Sequence, residues 1–515
     1  MFVYMETPTN HMQVIGVFLL DPATASGGFS FSQVRAMVER RLNRAAPFRR
    51  RLVEVPFRLA HPLWIEDPDF DLDYHVRRAC LPSPGGQQEL EDFVGQVVGL
   101  PLDRERPLWE MYVVEGLEGG QEAIVVKMHH AAIDGVSGAA LTASWLDLEA
   151  NPPPEAEGDD WKPERVPNEI DLLVGAWAEL ASSPVKAARA VRRLVETALH
   201  VSEHNRTPGV VPPPSPFSAP RTSFNLAITP HRRVAFSELA LEDLKAVKNH
   251  FGCTVNDVVL ALCAGALRRY LLDRGELPEE PLVGFVPVSV RADEEKLSAG
   301  NRLSAMLTSL ATDVADPLER LRMISAAMSE AKNQDSLIGP DLLTDWTEFT
   351  FPALIGRAAR LISSMRVFDL VRPAFNVTIS NIPGPQFPLF LAGARVTGMY
   401  PLGPVVEGAG LNMTVMSYCG TVYFGINGCR ETVPEVAKLP GMIVESLDEL
   451  LAVVGPKRRS PARPAASAAG SSVRGGSVRG SDRSSRTRGD PARSGRSRGG
   501  SARRSPREPG DLASH

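Results

Sequence analysis

Apolar residues recur along the chain at two different spacings, which together predict a mixture of helices and strands. Over residues 33–42 and 88–98 they recur every three or four positions, on one face of an α-helix. Residues 122–128 instead form a short apolar run rich in β-branched side chains, which predicts a buried strand. This strand ends at His129 and His130, and a turn leads from it into a helix predicted from about Ser137.

The second half of the chain repeats this alternation. Thr254 and Asp257 stand three residues apart directly before an apolar run, a spacing typical of a capping box at the start of a helix. A strand is predicted over 282–290 and a helix over 318–331. Three further strand-like segments follow, over 376–381, 411–418 and 421–427. Because helices and strands alternate in both halves, the sequence predicts an α/β fold.

Proline-rich segments divide the chain. Residues 151–169 and 207–220 have the composition of linkers, and an amphipathic basic helix is predicted between them over about 170–200. The predicted organisation is an N-terminal domain over 1–150, linkers with a crossover helix over 151–220, a C-terminal domain over 221–455 and a tail over 456–515. The tail is mostly Arg, Ser, Gly, Pro and Ala, and a segment with so few large apolar side chains is expected to be disordered.

The charge of the chain is divided unevenly. The 515 residues carry a formal net charge of −5 at pH 7, but the tail holds 15 Lys and Arg against 4 Asp and Glu. Its net charge of +11 leaves −16 for the first 455 residues, and such an acidic body does not favour nucleic-acid binding. The tail could attract RNA or anionic lipid, or be a solvated appendage, and the sequence leaves these alternatives open.

Cysteine spacing and hydropathy narrow the class of protein further. The five cysteines stand far apart and form no CxxC pair, so neither a disulfide framework nor a zinc ribbon is indicated and reduced thiols are expected. No apolar run approaches the roughly 18 residues that cross a bilayer. The N-terminus also lacks the basic flank and apolar core of a signal peptide. A cytoplasmic protein is therefore expected, with any membrane contact peripheral.

The segment from His129 to Gly135 carries the strongest indication of chemistry. Adjacent residues of a strand point to opposite faces, so only one of the two histidines is expected to face a given cavity. One imidazole at a strand end, with the Asp134 carboxylate four residues beyond His130, is typical of a positioned base, because the unperturbed pKa of histidine is about 6.5. Taken alone, the pair could equally be surface or core histidines at a turn.

This segment, HHxxxDG, resembles the active-site motif of the CoA-dependent acyltransferase superfamily. Other segments narrow the resemblance to the bacterial wax ester synthase/diacylglycerol acyltransferase family. They are Pro101–Glu110, Asn256-Asp257, Val286–Arg291, Ser380–Pro385 and Pro401–Pro404, in the order of the family and together covering roughly residues 1–455. The chain departs from the family pattern in two places: members usually have a further short segment before the equivalent of Glu6, and the basic tail is not part of their common core.

The resemblance implies a fold and a reaction. The fold would be two chloramphenicol-acetyltransferase-like domains with mixed sheets around a central tunnel, joined by a helical crossover. Acyl-CoA would donate a long-chain acyl group to diacylglycerol or a long-chain alcohol, giving triacylglycerol or wax ester. Because a thioester is already activated, no metal or bound cofactor is implied.

The resemblance also assigns roles to residues. His130 would be the general base, and His129 would pack on the far face and matter less. Asp134 would form a structural ion pair, with Arg49 as candidate partner, while Gly135 would allow close approach of the chain.

Four residues of the second half belong to the same prediction. Ser380 and Asn381 would lie near the developing oxyanion. Asn256 and Asp257 would line the tunnel, although a helix cap explains both almost as well.

Two alternative functions are also consistent with the sequence. A condensation-domain-like acyltransferase would take its acyl group from a carrier protein, and a non-catalytic lipid-binding or lipid-droplet protein would retain the motif without activity. Peripheral contact with the inner membrane face or with lipid droplets is expected for water-insoluble acceptors. The apolar stretch 342–375 is one candidate for such a surface, and core or interdomain packing is the other explanation for it.

Overall fold

The fold is described by a computed structural model, in which residues 1–460 form one compact unit. The described residues are 2–44, 46–133, 144–153, 161–168, 170–173, 214–215, 217–289, 303–338, 365 and 369–455. Several predicted features lie outside the described residues: Asp134, Gly135, the helix from about Ser137, most of the crossover helix and of the 342–375 stretch, and the tail.

The described elements alternate between helix and strand, as predicted. The helices are α1 Phe2–Met5, α2 Phe31–Arg41, α3 Leu72–His75, α4 Gln87–Val98, α5 His130–Ile133, α6 Leu241–Phe251, α7 Val255–Asp273, α8 Pro317–Ile338 and α9 Leu439–Val454. The strands are β1 Gln13–Asp21, β2 Arg50–Val53, β3 Leu63–Glu66, β4 Val76–Cys80, β5 Trp109–Glu115, β6 Glu122–His129, β7 Arg232–Ala240, β8 Val283–Ser289, β9 Leu303–Ser309, β10 Val377–Ile382, β11 Phe390–Leu391, β12 Ala394–Leu402, β13 Leu411–Tyr418 and β14 Thr421–Cys429.

The first sheet is six-stranded and mixed, with strand order β11-β12-β1-β6-β5-β4. Strands β1, β5 and β6 pair antiparallel, whereas β4 and β5 pair parallel. The core contains side chains of this sheet together with the apolar faces of α2 and α4, for example Val34 and Val94. The sheet matters for the site because β6, one of its central strands, ends at the histidine pair.

The second sheet is also six-stranded and mixed, with strand order β7-β14-β13-β10-β8-β9. The central strand β10 pairs parallel with both β8 and β13. Helix α7 is almost completely buried in the core of this half, which explains why its sequence is apolar on nearly all sides. Two mixed α/β layers are therefore confirmed, and they agree with the predicted fold class.

A strand exchange joins the two halves. Strands β11 and β12 come late in the sequence but complete the first sheet, where β12 pairs antiparallel with β1 through Gly16↔Pro401 and Ile15↔Leu402. Pro401 and Leu402, the first two residues of the Pro401–Pro404 segment, end this nine-residue strand. Proline cannot donate a ladder hydrogen bond, and this strand-end position tolerates that loss.

Most periodic segments lie where they were predicted, including the helices over 33–42, 88–98 and 318–331 and the strands over 122–128 and 282–290. The capping box at α7 is also confirmed: the Thr254 amide donates to Asp257 Oδ2 at 2.9 Å, and the Asp257 amide donates to Thr254 Oγ1 at 3.1 Å. Within the described ranges no single helix has the length and hydropathy of a membrane span. The pair α6 and α7 reaches them only jointly, across a bend of 104°.

Candidate active site

The histidine pair spans the end of a strand and the start of a helical turn. His129 is the last residue of β6, and His130 is the first residue of α5. The two histidines therefore do not alternate along one strand, contrary to the prediction from the sequence. Their side chains still have separate surroundings, because the backbone changes from extended to helical between them.

His129 is buried among polar groups. Its side chain is 2 % exposed, and its Nδ1 accepts a hydrogen bond of 3.0 Å from the backbone amide of Ala131. Its Nε2 lies 3.6 Å from Oε2 of Glu6, beyond ordinary hydrogen-bond length but within range of electrostatic attraction. His129 therefore connects the turn that carries His130 to a carboxylate of the N-terminal segment.

His130 occupies a largely buried position beside an aromatic ring. The ring of Phe2 stacks on its imidazole with centroids 4.0 Å apart, and the His130 amide donates to the Met12 carbonyl at 2.9 Å. Burial lowers the pKa of His130 to about 4; its own backbone opposes this shift, and His129 adds to it. The buried Nδ1 makes no hydrogen bond of ordinary geometry to the described residues. His130 is therefore a neutral imidazole at physiological pH.

Two further residues of the HHxxxDG motif have predicted structural roles. Asp134 and Gly135 lie outside the described residues, so the ion pair between Asp134 and Arg49 stays a prediction. The Arg49 guanidinium itself lies over the Trp161 ring, 4.9 Å from its centroid.

The predicted residues of the second half do come together in part. Asn381 Nδ2 donates to Asn256 Oδ1 at 3.3 Å, which connects β10 to the first turn of α7. Asp257 caps that helix and also accepts a 3.0 Å hydrogen bond from Ser325 through the same oxygen, so its structural role is confirmed. Ser380 lies on β10 opposite Thr414 of β13, and its side chain is on the face opposite to that of Asn381. Whether these four residues line a tunnel stays a prediction.

Sequence reasoning missed two charged residues next to the pair. Arg104 Nε donates to Glu6 Oε2 at 2.8 Å, and Arg104 Nη2 donates to the Val3 carbonyl at 2.7 Å. Arg104 lies in Pro101–Glu110, one of the segments that carry the family resemblance. No local pattern could connect them, because Glu6, Arg104 and His129 are far apart in the chain. Within the described residues, no group of three or more His, Cys, Asp or Glu side chains could hold a metal ion.

Comparison with known proteins agrees with this architecture. Residues 1–259 match the model of the wax ester synthase/diacylglycerol acyltransferase catalytic domain, and residues 299–451 match that of the WS/DGAT C-terminal domain. A protein of Mycobacterium tuberculosis strain CDC 1551 whose name describes a diacylglycerol O-acyltransferase, MT1809, is 40% identical over 457 residues, which cover 87% of this chain and 88% of its own length.

Two further relatives extend the comparison. The tgs2 diacylglycerol O-acyltransferase of the same organism is 37% identical over 466 residues, 88% of this chain and 98% of its own. The solved wax ester synthase/diacylglycerol acyltransferase of Marinobacter aquaeolei VT8 is 33% identical, covers 88% of this chain and 98% of its own, and superposes with a TM-score of 0.61. These relationships do not favour a non-catalytic protein or a condensation-domain-like enzyme. The chain belongs to the wax ester synthase/diacylglycerol acyltransferase family and is an acyltransferase.

Proposed function

We propose that this enzyme transfers a long-chain acyl group from acyl-CoA to the hydroxyl group of diacylglycerol or of a long-chain alcohol, with His130 as the general base. The observation that carries the proposal is the position of His130, a largely buried imidazole directly after the end of β6, whose pKa burial lowers to about 4. A base must be unprotonated to act, and a pKa of about 4 keeps this imidazole in that form throughout the physiological range. The names of the relatives support diacylglycerol as one acceptor.

In the proposed reaction, a nitrogen of His130 accepts the hydroxyl proton while the hydroxyl oxygen attacks the thioester carbonyl carbon. Because Nδ1 is buried, Nε2 is the nitrogen assigned to this step. The tetrahedral intermediate then collapses, its carbon–sulfur bond breaks, and the imidazolium returns the proton to the CoA thiolate. A weakly basic imidazole favours this second transfer, because its conjugate acid is strong. Such a base contributes about 10²–10⁴-fold to the rate.

The remaining residues have supporting roles in this proposal. Ser380 and Asn381 would offer donors to the oxyanion, which usually requires fixed hydrogen-bond donors nearby. Asp134 would hold the loop after His130 in place through an ion pair with Arg49. The thioester brings its own activation, so the proposed reaction needs no cofactor beyond acyl-CoA as substrate.

The test is a product analysis. Purified enzyme receives labelled palmitoyl-CoA with hexadecanol and with diacylglycerol in parallel reactions, and the lipids are resolved. The proposal expects labelled wax ester or triacylglycerol together with free CoA in equal amount. Hydrolysis to free fatty acid alone, with neither acceptor acylated, would contradict it.

We also propose that the enzyme reaches its water-insoluble acceptors by reversible contact with a lipid surface of the membrane or of lipid droplets. Support comes from the hairpin of β2 and β3, which exposes large apolar side chains: Phe57 is 80% exposed, Leu63 46% and Trp64 37%. An aromatic side chain held in solvent on a left-handed backbone, as Phe57 is at φ 57°, is unusual without a binding partner. Leu52 of the same hairpin belongs to the small apolar cluster that also contains Ala132 of the histidine turn.

A further inference from the structure

The N-terminal segment lies directly against the histidine turn. Phe2 stacks on the ring of His130, and Val3 packs with Ala132 in a small apolar cluster. Glu6 then faces His129 from the end of the same segment. Two positions of this short stretch thus face the two histidines, and a third packs on the cluster that contains Ala132. The placement of the stretch and that of the histidine turn therefore depend on each other.

Arg104 fixes this segment at two points. Its guanidinium donates to the Val3 carbonyl at 2.7 Å and to the Glu6 carboxylate at 2.8 Å, and its Nη1 also reaches Glu54 Oε1 at 3.2 Å. The Glu6 side chain is only 9% exposed. Burial would raise the pKa of Glu6, but His129 and the Arg104 guanidinium outweigh burial and hold that pKa below its usual value. Glu6 is therefore a buried carboxylate whose charge is held by two specific partners.

The hydrogen bonds of His129 define its tautomer. Nδ1 accepts the Ala131 amide hydrogen, so it carries no proton of its own. In the neutral imidazole the single proton then lies on Nε2, the nitrogen that faces Glu6 at 3.6 Å. One nitrogen thus holds the turn after His130, while the other is oriented by the carboxylate that Arg104 fixes.

We propose that Glu6, Arg104 and His129 form a clamp that positions His130, in which His129 acts through its Nδ1 acceptor and never exchanges a proton with substrate. This inference rests on the proposed role of His130 as base. In this proposal the clamp residues are positioning residues, because they act through His130 and contact neither the acceptor hydroxyl nor the thioester. Their effect is expected on the chemical step, since a base displaced by about 1 Å can lose about 10²-fold in rate.

The sharpest test separates the two nitrogens of His129. The side-chain amide of asparagine can occupy the position of Nδ1, and that of glutamine the position of Nε2. His129→Asn should therefore keep kcat within about threefold of wild type, whereas His129→Gln and His129→Ala should lose about tenfold, less than His130→Ala, with KM nearly unchanged in all three. Equal kcat for the Asn and Gln variants, with the same melting temperature, would overturn the role of Nδ1.

A second series tests the charged half of the clamp. Arg104→Gln should lower kcat by about 10-fold or more. Arg104→Lys should lower kcat less, because its ammonium group can still reach Glu6. The matched control is Arg78→Gln. It removes an exposed ion pair with Glu115, made by two hydrogen bonds of 2.7 and 2.8 Å, in the first sheet. The control should leave kcat unchanged. A wild-type kcat in folded Arg104→Gln would remove Arg104 from the clamp.

His130→Ala in the same assays separates this inference from the proposed function. Full activity in that variant would reject His130 as base, whatever the clamp variants do. An inactive His130→Ala beside clamp variants of wild-type kcat would reject the clamp alone. If Arg104→Gln does not fold, the comparison of His129→Asn with His129→Gln still tests whether Nδ1 of His129 positions His130.

Discussion

At the scale of single residues, burial of neutral histidines is the physical feature that most affects function. Burial lowers the pKa of His130 and of His75 to about 4 each, and that of His11 is lowered by the same cause. In the proposed mechanism, this shift leaves His130 unprotonated and able to act as the base. His75, by contrast, is stacked between Phe70 and Trp109 and hydrogen-bonded to the Trp109 carbonyl. The same pKa shift would thus serve catalysis at His130, under the proposed function, and accompanies aromatic packing at His75.

The pKa of His130 predicts the pH dependence of the rate. With the base unprotonated down to about pH 4, kcat/KM should stay nearly constant between pH 7 and pH 5.5. The measurement uses acyl-CoA with a soluble short-chain alcohol, with circular dichroism at each pH as a control for folding. A loss of half the activity near pH 6.5, in protein that remains folded, would show that His130 titrates as an exposed histidine or is not the base.

The pKa of His75 predicts the pH dependence of stability. Its folded-state pKa of about 4 lies below the value of about 6.5 in an unfolded chain, so the unfolded state binds more protons between those values. The contribution of neutral His75 to the free energy of unfolding is fully present above pH 6.5 and is lost as the pH falls toward 4. His75→Phe should reduce the slope of unfolding free energy against pH by up to about 1.4 kcal/mol per pH unit in this window. Urea titrations at several pH values measure the slope, and an unchanged slope would contradict the assignment.

At the scale of elements, the sequence predicted what depends on local periodicity. The helices over 33–42 and 88–98, the buried strand over 122–128 and the capping box at Thr254 follow from side-chain spacing, and the structure confirms them. The position of β12 in the first sheet could not be predicted in this way, because strand partners are chosen by packing between distant segments. The clamp on His129 was missed for the same reason.

One buried ion pair holds an element at the edge of the first sheet. Arg41 at the end of α2 donates to both oxygens of Asp147 at 2.7 and 2.8 Å, and Asp147 pairs through its backbone with Phe390 of β11. Arg41→Met should lower unfolding free energy by about 3–5 kcal/mol, because it leaves a buried carboxylate without its cation. The matched control Arg35→Met removes an exposed pair with Asp73 and should cost less than about 1 kcal/mol. Similar small losses in both variants, measured by urea unfolding, would contradict this account.

At the scale of the whole molecule, the two halves are joined by direct packing as well as by the exchanged strand. The Phe236 amide of β7 donates to Glu91 of α4 at 2.8 Å, and β12 lies close to β14 at Gly425. A Cβ atom at Gly425 would lie 1.8 Å from the Pro401 carbonyl oxygen, so only glycine allows this approach. The site residues of both halves are thus carried by one packed body.

The close approach at Gly425 gives a prediction for the whole fold. Gly425→Ala should destabilise the protein by about 1–3 kcal/mol, because the added methyl group overlaps backbone that cannot move independently. Gly441→Ala is the control. Among the described residues, no atom outside the adjoining helix backbone lies within 4 Å of the new Cβ, and alanine in helix α9 should stabilise by up to about 1 kcal/mol. Thermal unfolding compares the two, and equal melting temperatures would reject the tight contact.

The proposed contact with lipid also belongs to the scale of the whole molecule. The +11 tail should attract anionic vesicles through forces that fade over about 8 Å at physiological salt, whereas apolar contacts of the hairpin should persist in salt. Deleting residues 456–515 should therefore weaken binding only at low salt, while a Phe57→Ser, Trp64→Ser double variant should weaken it at all salt concentrations. Vesicle co-sedimentation measures both. Salt-independent binding that is equal for wild type and both variants would exclude the tail and the hairpin as contacts.

The central claim is that His130 is the general base of the acyl transfer, and the rate of its alanine variant tests it most directly. His130→Ala is compared with His129→Ala and wild type, using labelled acyl-CoA and one acceptor, at equal melting temperature. His130→Ala should lower kcat by about 10²-fold or more, and His129→Ala should retain substantially more activity. A folded His130→Ala enzyme with wild-type kcat, or two variants that lose activity equally, would contradict the account.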